Sequence, residues 1–343
     1  MSTRMMKAAV FKGSGVLSLE QVPVPEIRQP DDVLIRVSAC SICGSDLHVL
    51  AVPPGQYAKP GTILGHEFVG TVAETGPGVT TVRPGDKVVA EPNIRCGICP
   101  ECRRGNFNLC RNAVNTGQQR DGGFAEYCLM PEKQLYKVPA DLPDRTAALA
   151  EPLACVMNGM MKINPQPHEK VVLFGAGAIG LLFVKVLRRY GVRQIAVCET
   201  IPARLEDAKH AGAQLVFNPA KDDLPSELEK AWGSLADAAI DAVGAGAVFE
   251  QIIPVMNCGG RVLIFGQNMT QYSTIRPGDI NCKELTITAT LSTKNSFGPA
   301  ISILTDPEAA IDEVVTHTVA LEDIHRGIDL MRSREAVKVV VVP

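Results

Sequence analysis

The sequence predicts an α/β chain in two parts: a β-rich, partly barrel-like domain and a doubly wound parallel-sheet domain. Three observations carry this prediction. Residues 7 to about 150 hold short β-like runs separated by Gly and Pro. Residues from about 155 to 290 alternate strand-like and helix-like patterns, which implies a parallel sheet covered by helices. The apolar run Val171–Phe174 leads straight into Gly175, Gly177 and Gly180. A length of 343 residues accommodates two domains, and 46% hydrophobic with 21% charged residues suits a globular core.

In the first part the strand-like runs include Lys7–Phe11, Val33–Val37, Phe68–Val72 and Lys87–Ala90. Cys43-Gly-Ser45-Asp-Leu-His48 reads as a turn after a strand, Gly65-His66-Glu67 precedes another strand, and Glu151-Pro152 opens a helix near the domain junction. In the second part Val171–Phe174 reads as a strand buried on both faces. A helix pattern of Leu181, Leu182, Val184, Lys185 and Leu187 follows it. Five more strands are expected at Gln194–Glu199, Gln214–Phe217, Ala238–Asp241, Arg261–Phe265 and Leu285–Thr288. The tail holds helical segments at Pro299–Leu304 and Asp323–Arg332, then a strand, Ala336–Val342, expected to return to the first domain.

Charge and composition exclude several classes. A net charge of −3 without a basic run argues against nucleic acid. No apolar stretch reaches membrane-spanning length, and the start lacks the apolar region of a signal peptide. The first strand begins near Lys7, so Met5 or Met6 is a candidate start. Eleven cysteines in a chain of this size point to a reducing, cytoplasmic setting with thiols as metal ligands or core filler.

The glycines sit at G-x-G-x-x-G spacing between strand and helix. Gly175 allows a tight turn, Gly177 lets the backbone approach a pyrophosphate, and Gly180 lets helix and strand pack closely. With Ala178 and Ile179 they put free N–H groups of the helix start where phosphates bind. Glu199 lies 19 residues past Gly180, where an acid takes the adenosine ribose hydroxyls and repels a 2′-phosphate, favouring NAD(H) over NADP(H). Arg204, five residues on, is open to three readings: accommodating NADP, lying over the adenine, or a helix-surface arginine. Val243, Gly244, Gly246 and Gly266 fall at carboxyl ends of strands, where ligands bind in open α/β sheets.

Cys96, Cys99, Cys102 and Cys110 lie in a loop of Gly, Pro, Arg and Asn too polar to hold itself by burial. Four thiolates this close match a closed, structural zinc site. Cys43, His66 and Glu151 are dispersed, but together would leave the open metal position that Lewis-acid catalysis needs. Glu67 is a ligand, an alternate ligand, or a partner of the ligands.

The ordered set C-G-S-D-x-H, G-H-E-F-x-G, V-x-x-G-D-x-V (Val82–Val88), the four-cysteine lobe, D-G-G-F-A-E-Y (Asp121–Tyr127), E-P-L-A and G-A-G-x-I-G resembles the zinc-dependent medium-chain alcohol dehydrogenases over nearly the whole chain. Within that family it is most similar to the sorbitol (polyol) and threonine dehydrogenase branch. The resemblance implies a catalytic domain of residues 1–153 and 293–343 with the lobe at about 92–113. It also implies an inserted Rossmann domain of residues 154–292, with the active site in the cleft. It implies two zinc ions per chain: a catalytic one on Cys43, His66 and Glu151, with Glu67 as extra acid, and a structural one on the four cysteines. Ser45 and His48 match the family's proton relay. NAD-dependent oxidation of a secondary alcohol or polyol follows, in a homo-oligomer (dimer or tetramer) with no nucleic-acid or membrane partner. L-Threonine and simple alcohols or butanediol are the alternative substrates, and a non-catalytic zinc or dinucleotide module is the alternative of another class. Arg276, Glu151, Tyr57 and Lys294 are the candidate hydroxyl-binding groups for a polyol.

Overall fold

The computed structural model describes residues 4–343, so the first three residues of the expected N-terminal domain lie outside the described part. The chain divides into two compact units, Met1–Ala154 with Thr293–Pro343, and Cys155–Ser292.

The first unit opens with an antiparallel hairpin, β1 (Met5–Gly13) and β2 (Val16–Pro23). Its turn runs through Gly13 and Gly15 at φ 94° and 77°, a left-handed conformation that glycine adopts without a Cβ penalty. The main sheet begins with β3 (Asp32–Ser41), β4 (Glu67–Thr75) and β5 (Lys87–Ala90), all antiparallel. A short helix, α1 (Gly44–Val49), leaves the end of β3. The cysteine loop follows, its base closed by β6 (Asn93–Ile94) paired with β7 (Val114–Asn115), with α2 (Pro100–Arg103) inside it. Then β8 (Tyr127–Pro131) pairs with the first half of β3, and β9 (Leu135–Lys137) pairs with β5. Helices α3 (Asp144–Ala147) and α4 (Ala150–Ile163) come next, Glu151 standing in the first turn of α4.

In the second unit strands and helices alternate: β10 (Lys170–Phe174), α5 (Ala178–Arg189), β11 (Gln194–Cys198), α6 (Pro202–His210), β12 (Leu215–Phe217), α7 (Leu224–Trp232), β13 (Ala236–Asp241), α8 (Gly246–Ile252), β14 (Met256–Ile264), α9 (Pro277–Cys282) and β15 (Thr286–Ala289). The six strands are parallel in the order β12-β11-β10-β13-β14-β15. Strand order reverses between β10 and β13, and the crevice beyond the carboxyl ends at such a point is where ligands bind in doubly wound sheets. Val171–Phe174 are buried on both faces, as their unbroken apolar run requires. Strand β14 starts at Met256, ahead of the expected Arg261. Gly259, at φ 75°, is tolerated inside it, and the pairing with β13 is irregular at that end.

The returning chain adds α10 (Phe297–Leu304), β16 (His317–Ala320), α11 (Ile324–Arg332) and β17 (Val339–Val342). Strand β17 is shorter than the expected Ala336–Val342. It runs parallel to β16 and antiparallel to β3, with Val340 opposite Ser41 and Val341 opposite Cys40. Two strands thus share one edge of β3, β8 at its start and β17 at its end. The first unit's core gathers Ile35, Ile42, Leu64, Phe124, Met130, Ile324 and Val339.

Candidate metal centre and dinucleotide turn

The sulfurs of Cys96, Cys99, Cys102 and Cys110 lie within 4.8 Å of one another. Two sulfur pairs measure 3.9 Å (Cys99–Cys110) and 3.5 Å (Cys96–Cys110). Zinc–sulfur bonds of ~2.3 Å at tetrahedral angles put sulfurs ~3.8 Å apart, so the four fit one ion. The lobe has almost nothing else inside: its buried apolar cluster is Cys99, Cys102 and Cys110, with Cys96, Phe107 and Ala113 against them. Backbone N–H groups of Ile98 and Cys99 pull the Cys96 thiol down to about 6. Burial pushes Cys102 up to about 12.

The second cluster joins Cys43, His66 and Glu67, whose ligand atoms also lie within 4.8 Å of one another. Cys43 caps the N-terminus of α1, and Glu67 begins β4. The compact trio thus holds three of the four expected ligands, and Glu151 is not among them. Glu151 is buried on α4, and its charge still reaches His66. Burial pushes the His66 imidazole down, but Cys43, Asp46 and Glu151 outweigh that and hold it well above the ordinary value of 6.5. A cluster of thiol, imidazole and carboxylates whose charges favour a proton on the ring is a set short of positive charge. That donor set suits zinc. Asp46 is buried, accepts from the Cys43 N–H at 2.9 Å, and stands 3.8 Å from His66 Nδ1, where its charge favours a protonated ring.

Cys43–His48 was expected as a turn; residues 44–49 are instead helical. Six residues are too few for a helical periodicity to stand out. Ser45 Oγ lies 3.5 Å from His66 Nε2, beside the trio. His48 is exposed, with Gly55 packed against its ring and bonded to its carbonyl at 2.9 Å. Of the candidate polyol-binding groups, Tyr57 is exposed, Arg276 pairs with Asp279, and Lys294 Nζ donates to Asn106 at 2.8 Å.

Sequence reasoning missed Lys338. Its Nζ donates to Glu67 Oε2 at 2.5 Å across a gap of 271 residues, and both side chains are almost wholly buried. Ser41 Oγ donates to the same oxygen. The available signal was a lysine breaking the apolar run Ala336–Val342.

In the second unit the glycine turn has the geometry its spacing predicts. Gly175 takes φ 98°, and a Cβ there would strike Val243. A Cβ at Gly180 would lie 2.0 Å from the Gly175 carbonyl. Gly177 caps α5 and faces open space, with Arg204 Nη1 3.9 Å from where its Cβ would be. Ala178 and Ile179 form the first turn of α5. Glu199, one residue past β11, accepts from the N–H groups of Ala176 (3.0 Å), Thr200 (2.7 Å) and Ile201 (3.0 Å). Burial pushes its carboxyl up, but these donors and the Arg204 charge win and hold it below the ordinary 4.5. Arg204 Nε is buried without a partner. Val243, Gly244 and Gly266 pack backbone on backbone past the ends of β13 and β14. Buried Asp241, also missed in the sequence, accepts from the Val243 and Gly244 N–H groups at 2.8 Å each.

Residues 29–140 match the family model of the alcohol dehydrogenase GroES-like domain, and residues 178–306 match that of the zinc-binding dehydrogenases. The chain is 34% identical to an L-threonine 3-dehydrogenase of Anaeromyxobacter dehalogenans, over 98% of each chain. It superposes on a zinc-binding dehydrogenase of Sinorhizobium meliloti bound to NADP with a TM-score of 0.94 and 32% identity, covering 99% of this chain and 100% of that one. A 2R,3R-butanediol dehydrogenase of Bacillus subtilis gives a TM-score of 0.89 at 30% identity, over 98% and 99% of the two chains.

Proposed function

The chain belongs to the zinc-dependent medium-chain alcohol dehydrogenases, and from that premise we propose that it oxidises a secondary alcohol or polyol reversibly to the ketone, with NAD+ as hydride acceptor. The grouping of Cys43, His66 and Glu67 with the Ser45 hydroxyl beside them carries this reading. Zinc, when bound, supplies a Lewis acid that eases loss of the alcohol proton, and NAD+ supplies the carbon that accepts the hydride.

The chain's own residues do the rest. Cys43, His66 and Glu67 hold the metal, and Glu151 adds a buried negative charge or takes Glu67's place as ligand. Three protein ligands leave a position for substrate. Ser45 Oγ accepts the substrate's hydroxyl proton and releases its own, and exposed His48, three residues on along α1, hands it to solvent. The N–H groups at the start of α5 hold the pyrophosphate over Gly175–Gly180. Glu199 Oε1 takes the Thr200 N–H, the Thr200 hydroxyl and the Ile201 N–H, whereas Oε2 takes only the Ala176 N–H, so Oε2 keeps a lone pair for a ribose hydroxyl. The carboxyl's depressed pKa keeps it ionised and set against a 2′-phosphate. Val243 and Gly266 border the nicotinamide half. Hydride transfer then needs donor and acceptor carbons ~3–3.5 Å apart.

L-Threonine is the second reading, favoured by the 34% identity to the Anaeromyxobacter dehalogenans enzyme. A screen at the NADH wavelength with sorbitol, xylitol, galactitol, inositol-type alcohols, threonine and 2,3-butanediol separates the two, with metal content measured on the same sample. Polyol turnover with two zinc ions per chain is expected. Full turnover in metal-free protein overturns the reading. We also infer a cytoplasmic homo-oligomer. Among the described residues no helix is long and apolar enough to cross a membrane. Light scattering giving the mass of a single chain would remove the oligomer from this account.

A further inference from the structure

Arg95 immediately precedes the first cysteine of the lobe. Its Nη2 donates to Glu91 Oε1, to the Thr293 carbonyl at 2.7 Å and to Thr293 Oγ1 at 3.1 Å. Thr293 Oγ1 in turn donates to Glu91 Oε1 at 2.7 Å, closing a triangle between residues 198 and 202 positions apart. A second strap joins Lys294 to Asn106, which lies between the last two lobe cysteines. Both straps land on consecutive residues, and the residues on either side, Ser292 and Asn295, hold left-handed φ of 53° and 52°. Asparagine tolerates that conformation, but a serine holds it only where its surroundings fix the backbone.

The far corner of the triangle, Glu91, directly follows β5. Strand β5 pairs with β4, Val89 opposite Val69 and Lys87 opposite Thr71. Carrying that register two residues further brings Glu91 level with Glu67. Gln134 locks the Glu91 backbone there, accepting its N–H at 2.7 Å and donating to its carbonyl at 2.8 Å.

We propose that Arg95 is a positioning residue through which the cysteine lobe fixes Glu91 and Thr293 beside the Cys43–His66–Glu67 trio. A metal in the lobe thereby serves catalysis without touching substrate. The kinetic part rests on the dehydrogenase reading above, whereas the local order it predicts does not.

The test compares Thr293→Val, Thr293→Ser, Arg95→Met and Cys110→Ser with the parent full-length protein, measuring zinc content, hydrogen exchange by peptide and kcat/KM. Thr293→Val keeps the shape and loses the hydroxyl; Thr293→Ser keeps the hydroxyl and loses a methyl. Exchange at residues 291–297 should rise about tenfold in Thr293→Val and Arg95→Met, the size of losing one charge-assisted hydrogen bond. Two zinc ions should remain in both, with kcat/KM down about tenfold. Thr293→Ser should match the parent, and Cys110→Ser should raise exchange at the same residues. The proposal is overturned if Thr293→Ser is hurt more than Thr293→Val, which marks packing. Unchanged exchange at 291–297 in Arg95→Met or Cys110→Ser also overturns it. If the exchange pattern appears in a protein that oxidises no alcohol, the positioning role stands and the activity reading falls.

Discussion

The two clusters of metal-ligating side chains share one unit and are built in opposite ways. The lobe takes all its sulfurs from Cys96–Cys110, between two-residue strands, with little but cysteine buried inside. The trio takes Cys43 from beyond β3 and His66 and Glu67 from the start of β4, and is backed by Lys338 from just before β17. Sheet pairing and a continuous apolar core set the trio's shape before any ion arrives. The lobe has no such frame, so its ion is part of its fold. One cluster is a site that a fold makes; the other is a fold that a site makes.

The largest effect expected from this contrast is on activity without stability. Cys43→Ala or His66→Ala should cut turnover at least ~1000-fold, since a Lewis acid contributes several kcal/mol to the barrier. Zinc should fall from two to one per chain while the melting temperature shifts little. A large melting shift would mean that the trio's frame also depends on its ion. Next comes the reverse case, stability before activity. Cys99→Ala should open residues 92–113 to protease and cost several kcal/mol, because a structural zinc site contributes directly to folding. An undisturbed lobe in that variant would mean that the lobe folds without its ion.

The Lys338–Glu67 pair comes next in size. Lys338→Met strands a buried Glu67 carboxylate and should cost ~3–5 kcal/mol in urea unfolding, with Lys338→Arg recovering most of the loss. Equal stability of the Met variant and the parent would deny the pair its role. The smallest effect concerns the other unit. Glu199 is held below 4.5 by the turn it bonds, so its contribution is present at neutral pH and lost as pH falls through that depressed value. The melting difference between parent and Glu199→Gln should therefore be steady at pH 6–8 and shrink below pH 4.5. A difference that grows on acidification would reverse the assignment.

The same contrast explains what could be read from residues alone. Cys96–Cys110 and Gly175–Gly180 are legible because their chemistry lies within one short stretch, and strand patterns such as Val171–Phe174 announce burial directly. Lys338, Arg95 and Asp241 are not, because each acquires its meaning from a partner or a fold placed by the rest of the chain. Lys338 looks like a flaw in a strand until β17 is laid beside β3. Glu67 and Glu151 were both nominated by the family likeness, and the paired strands bring Glu67 beside Cys43 and His66. Helix α1 escaped notice because six residues cannot display a period.

The pairing of Lys338 with Glu67 has a consequence for how the protein is made. The carboxylate emerges from the ribosome early, and its cation follows only after the entire nucleotide-sheet insertion, residues 155–292, has been synthesised. The ion pair that neutralises Glu67 therefore closes only after nearly the whole chain has been made.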